Sequence, residues 1–147
     1  DILPGGYAIT ADDLEAECAR IGKTPKPGDA VLIRTGWGKH FSGDAKTYIG
    51  HDSGVPGVDA TAGQWLADKK IVVTGCDTTA YEHIAPGKGH AVLPVHRILL
   101  VDAGINIIEH MNLEVANEKN ISEFMFILAP LKIVGGTGSP VRPLAVI

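Results

Sequence analysis

The chain reads as an α/β protein with a mixed β-sheet and flanking helices, because helical and extended apolar patterns alternate through its first two thirds and its end is strand-rich. Three observations carry this: amphipathic spacing over 11–21, β-branched runs at 30–33 and 71–73, and closing apolar runs at 124–128 and 144–147.

Thr10, with Asp13 three residues on, forms a capping arrangement, and Leu14, Cys18 and Ile21 recur at helical spacing until Gly22, predicting a helix over 11–21. Pro25-Lys26-Pro27-Gly28 is a turn, and Ala30-Val31-Leu32-Ile33 reads as a buried strand. Residues 36–57 carry seven glycines and prolines among polar residues, the pattern of a long functional or mobile loop. Asp59 caps a helix to about Lys69. Ile71-Val72-Val73 is a strand ending at Gly75-Cys76-Asp77, where a polar group emerges from buried structure. A second long loop over 79–94 leads to a helix from about Val95 to Gly104, then a strand over 105–108 ending in Glu109. Asn112 caps a short helix to about Lys119. A strand is expected at 124–128, and 131–134 and 144–147 supply two more apolar runs, separated by the turn-rich 135–140.

Composition narrows the class of protein. A chain of 147 residues fits one domain, and its 45% hydrophobic and 20% charged residues suit a folded globular chain rather than a disordered one. A formal net charge of −4 with scattered Lys and Arg argues against nucleic-acid binding. Cys18 and Cys76 form neither a disulfide framework nor a paired metal motif. They suit a reducing compartment. No apolar run approaches the roughly 18–20 residues that span a bilayer, and no signal peptide is legible, so the expectation is cytoplasmic with no membrane partner. The chain begins at Asp1 without a methionine, from which a missing upstream segment is expected.

Three groups of residues are candidates for chemistry. His96 falls in the first turn of a helix and Glu109 at the end of the following strand, and imidazole plus carboxylate suits zinc or manganese. On spacing alone, a hydrogen-bonded boundary histidine and a solvated strand-end glutamate are the favoured reading. Asp77 and Thr78 leave the carboxyl end of a strand, where α/β sheets bind ligands, although an Asx turn explains the same residues. Glu82 and His83 read as surface loop residues. Arg34-Thr35-Gly36-Trp37-Gly38 places an indole that either walls an aromatic pocket or plugs the core. Gly-x-Ser-x-Gly, His-Glu-x-x-His and Gly-x-Gly-x-x-Gly patterns are all missing, so serine hydrolase, zinc protease and dinucleotide readings have no anchor.

Five blocks, in order, resemble the cyclase family that includes kynurenine formamidase and isatin hydrolase: Lys26 to Gly38 (KPGDAVLIRTGWG), Gly75 to Thr78 (GCDT), Leu93 to Leu100 (LPVHRILL), Gly104 to Glu109 (GINIIE) and Pro130 to Pro143 (PLKIVGGTGSPVRP). The resemblance implies a swivelling β/β/α fold and hydrolysis of an amide, formamide or cyclic amide by water activated on a divalent metal, zinc or manganese. It implies that His96 and Glu109 are metal ligands, and that Trp37, Asp77 and Thr78 line the substrate site. The family's main motif, His-x-Gly-Thr-His-x-Asp, is missing, and no two histidines here are four apart. The principal ligands and the catalytic base are therefore expected upstream of Asp1, with residues 1–147 as one domain forming the C-terminal part of a longer catalytic domain. A homo-oligomer is expected by the same resemblance, with the missing segment possible as a separate chain. The alternative is a non-catalytic remnant or pseudo-enzyme that binds a ligand or serves assembly.

Overall fold

The computed structural model describes residues 1–89 and 91–147. The chain divides into two compact units, Asp1–Val115 and Ala116–Ile147.

In the first unit a short strand β1 (Ala8–Ile9) leads into α1 (Ala11–Ile21). Asp13 N–H donates to the Thr10 hydroxyl at 3.2 Å, and the Asp13 carboxylate accepts from Thr10 N–H at 2.9 Å, so two backbone donors are satisfied reciprocally. Gly22 ends the helix at φ 69°. α3 (Ala60–Asp68) begins at Asp59, whose carboxylate accepts from Ala62 N–H at 3.0 Å, and it buries Ala62 and Leu66. α1 and α3 pack together over a core that includes Ile9, Leu14, Val58, Leu66, Val95 and Leu99.

Three parallel strands, β2 (Ala30–Ile33), β4 (Val73–Cys76) and β5 (Asn106–Ile108), form a sheet in the order β2-β4-β5. β2 is an edge strand with only Ile33 fully buried, less enclosed than its apolar sequence suggests. β4 is central and buried at all four residues. It starts two residues later than the apolar run at 71–73, Val72 being exposed, and continues through Thr74, whose hydroxyl donates to Val31 O at 2.8 Å. Gly75 pairs with both Leu32 and Ile108. Parallel register therefore sets the three carboxyl ends side by side, so that Thr35, Asp77 and Glu109 all leave the sheet at one edge.

The glycine-rich stretch over 36–57 is folded rather than irregular. A 3₁₀ turn spans Trp37–His40 and α2 spans Ala45–Ile49. Trp37, Tyr48 and Val55 join Ala80 and Ile84 in a second small core. β3 (Gly57–Val58) pairs in parallel with β1. The loop over 79–94, of which residue 90 lies outside the described residues, is stitched to β3 and its approach: Val55 and Ile84 exchange both backbone hydrogen bonds, and His83 N–H donates to Val58 O at 3.0 Å. Gly57 permits this, since a Cβ there would stand 2.5 Å from the Glu82 carbonyl carbon. α4 (Pro94–His96) follows and widens at once into a π-helical turn over Arg97–Asp102, which buries Leu99.

α5 (Glu114–Glu118) contains the division between the units. Asn112 accepts from Glu114 N–H at 3.2 Å, the expected cap. In the second unit β6 (Met125–Ile127) and β7 (Leu144–Val146) form an antiparallel pair, with Phe126 opposite Ala145. The apolar run at 131–134 forms no strand and leads into a turn: Gly136 N–H donates to Ile133 O, and Leu131, Ile133 and Val134 are exposed. Among the described residues no helix is long and apolar enough to cross a membrane. Parallel sheets with flanking helices make this the mixed α/β architecture that the alternating pattern predicts.

Candidate metal and substrate site

β5 ends by delivering Glu109, and α4 holds His96 opposite it, with His96 Nε2 3.5 Å from Glu109 Oε1. The two residues converge, as their element-terminal positions suggest. Behind them lies a third group that spacing does not mark. Glu82 is only 1% exposed, contrary to its reading as a surface loop residue. Its Oε1 accepts from His96 Nδ1 at 2.6 Å and from His96 N–H at 3.2 Å, and its Oε2 accepts from Val95 N–H at 2.9 Å. Glu82 is inside because the loop around it is tied to β3, a long-range pairing with no local signature. His83 stays half-buried.

The carboxylates of Glu109 and Glu82 together push the His96 imidazole up to about 9, against the opposing effect of burial. An imidazole nitrogen and a carboxylate oxygen brought to 3.5 Å are donors of the kind that would hold a divalent cation between them. Metal-bound histidines commonly donate their other ring N–H to a carboxylate, the position Glu82 occupies here. Among the described residues no three His, Cys, Asp or Glu side chains are grouped to hold an ion. The residues present thus fit two positions of a shell that needs further donors from outside them.

On the neighbouring strand ends the geometry faces inward. Asp77 is 1% exposed. Its Oδ1 accepts from Thr35 N–H at 2.9 Å and the Thr35 hydroxyl at 2.6 Å, while its Oδ2 accepts from Gly36 N–H at 2.8 Å and Gly38 N–H at 3.4 Å. Trp37 is buried, its indole N–H donating to Tyr48 O at 3.0 Å. The polar atoms of Asp77 and Trp37 are thus already used, those of Asp77 in shaping the 35–38 turn and that of Trp37 in tying it to Tyr48. Thr78 differs. It is buried, yet its hydroxyl makes no well-formed hydrogen bond among the described residues.

Two further residues border this edge. Tyr48 OH lies 2.9 Å from His110 Nδ1 and donates to Asp77 O at 3.3 Å. Burial, with the charges of Asp77 and Glu109 among its neighbours, pushes the phenol upward, so it stays protonated at neutral pH. His110 directly follows Glu109 and takes a left-handed backbone at φ 57°, while its N–H donates to Thr78 O at 3.0 Å. Neither residue stands out in the sequence, because their pairing spans 62 positions. A separate cleft of about 360 Å³ lies between α1 and α3, lined by Glu15, Cys18, Trp65 and Lys69 among others, and includes none of these groups.

Comparison with known proteins places this geometry in a lineage. The profile of the Cyclase family, described as "Putative cyclase", matches residues 1–83. The isatin hydrolase of Roseibium aggregatum is 33% identical over 146 residues, covering 96% of this chain and 53% of that protein. A crystal structure of an isatin hydrolase bound to the product analogue thioisatinate superposes with a TM-score of 0.81 at 31% identity, covering 98% of this chain and 54% of the other. A predicted metal-dependent hydrolase from Bacillus stearothermophilus gives a TM-score of 0.65 at 26% identity, with 97% and 62% covered. The chain spans about half the length of the curated relative it matches. With more than half of its residues matched by the family profile and the same architecture in its structural neighbours, the chain belongs to the Cyclase family.

Proposed function

We propose that this chain supplies part of the active site of a metal-dependent hydrolase that cleaves an amide, formamide or cyclic amide. The observation that carries the reading is the convergence of His96 Nε2 and Glu109 Oε1 to 3.5 Å, two donors that would share a cation. Isatin hydrolases and metal-dependent hydrolases among the similar proteins support it. A divalent cation, zinc or manganese, supplies water activation and carbonyl polarisation when bound.

The chain's own residues have distinct tasks. His96 and Glu109 donate one nitrogen and one oxygen from separate elements, so the fold rather than local spacing sets the distance between them. The Thr78 hydroxyl, buried and without a well-formed partner among the described residues, would meet a polar substrate atom only if the pocket opens onto it. Tyr48 orients His110, whose Nδ1 it meets, at the rim beside Glu109. Asp77 and Trp37 hold the 35–38 turn as the wall behind them. The test is an assay of the complete gene product on isatin and on N-formylkynurenine, before and after chelation. Turnover that disappears with chelator and returns with Zn²⁺ or Mn²⁺ is expected. Turnover indifferent to chelator overturns the reading.

A further inference from the structure

We infer that Glu82 is a positioning residue for the metal site, fixing His96 with its proton on Nδ1 and leaving Nε2 to face Glu109. The inference rests on the metal-dependent reading above and deepens it.

Geometry carries the argument. His96 has two candidate carboxylates, one on each ring nitrogen: Glu82 at 2.6 Å from Nδ1 and Glu109 at 3.5 Å from Nε2. Only the shorter distance is that of a charge-assisted hydrogen bond. Glu82 also cannot drift. Backbone N–H groups of Val95 and His96 hold its two oxygens at the start of α4, and its own backbone is locked against Gly57 of β3. A buried acceptor clamped at three points therefore keeps a proton on Nδ1 and fixes the rotation of the ring. The same contacts tie the loop over 79–94 to the helix that carries His96, so the imidazole is positioned from behind by the sheet side of the molecule. Among the described residues the Glu109 carboxylate has His96 as its contact and keeps a third of its side chain exposed, as a ligand needs.

A carboxylate that merely caps α4 would affect stability and nothing else, so the test separates the two roles. In the complete wild-type gene product, proton and nitrogen NMR should find a protected, hydrogen-bonded Nδ1–H on His96 in the metal-free protein. The same proton should persist after Zn²⁺ is added, with Nε2 taking the metal. Glu82→Gln should lose or shift that resonance and weaken Zn²⁺ affinity by roughly 10–100-fold, measured by chelator competition well below the melting temperature. Unchanged affinity in a folded Glu82→Gln protein, or a wild-type His96 that binds Zn²⁺ through Nδ1, overturns the inference. Should Glu82→Gln not fold, the wild-type Nδ1–H resonance decides by its presence or absence. Should wild-type protein take up no Zn²⁺ or Mn²⁺, the proposed function fails, while the metal-free resonance still judges Glu82.

Discussion

Asp77 and Glu109 leave adjacent parallel strands at the same edge of the sheet, yet their surroundings are opposite. Asp77 is 1% exposed and its two oxygens accept four hydrogen bonds from Thr35, Gly36 and Gly38. Glu109 has a side chain 33% exposed, and its described contact is His96 Nε2 at 3.5 Å. A carboxylate whose lone pairs are filled by its own protein is already committed to holding that protein together. One held in place by its strand, with its oxygens left open, is free for a ligand. Position at a strand's carboxyl end therefore nominates both residues, and hydrogen-bond saturation separates them.

Substitution sharpens the contrast. Glu109→Ala should cost the complete gene product on the order of 10³-fold in turnover, the equivalent of about 4 kcal/mol of lost cation stabilisation, with the urea midpoint nearly unchanged. Asp77→Ala should do the reverse, lowering stability by about 3 kcal/mol or more because several buried donors lose their acceptor. Urea unfolding checks it, and Asp77→Asn, which keeps one oxygen, should cost about half. A folded Asp77→Ala protein of normal stability and low activity would break the comparison and return Asp77 to the substrate.

Thr78→Val gives a smaller effect. Its hydroxyl has no well-formed partner among the described residues, so removing it should leave stability unchanged or slightly raised. Turnover should fall about tenfold if that hydroxyl meets the substrate, the value of roughly one hydrogen bond. Steady-state kinetics beside thermal melting would read both.

The smallest effect belongs to a carboxylate at the surface of the same unit. Arg34 donates to both oxygens of Glu114 at 2.9 Å and holds that carboxyl below its usual value. Because the folded-state value is depressed, this contribution is present above the unfolded value of 4.5 and is lost as pH falls through the folded one. Arg34→Ala should therefore flatten the acid limb of stability by about 0.5–1 kcal/mol, seen in urea midpoints between about pH 3 and 6.

Elements that depend on neighbouring residues were legible in advance. The helix over Ala11–Ile21 has its predicted bounds because Thr10, Asp13 and Gly22 satisfy its ends within a few residues. Asp59 and Asn112 act as caps for the same reason. Elements whose state depends on distant partners were not. The glycine-rich 36–57 stretch folds around Trp37 and Tyr48, and the apolar run at 131–134 stays exposed and forms no strand.

The sequence by itself determined the alternation of helices and strands, the capped helix ends, the family's motif order and the nomination of His96 and Glu109. These rest on short-range periodicity and on residue chemistry, which a linear string carries. Only the tertiary structure decided that Glu82 turns inward to His96, that Asp77 spends its oxygens on the 35–38 turn, and that Tyr48 meets His110. Each of those depends on which segments the parallel register and the Gly57 contact bring together, and contact between residues far apart in the chain leaves no spacing to read.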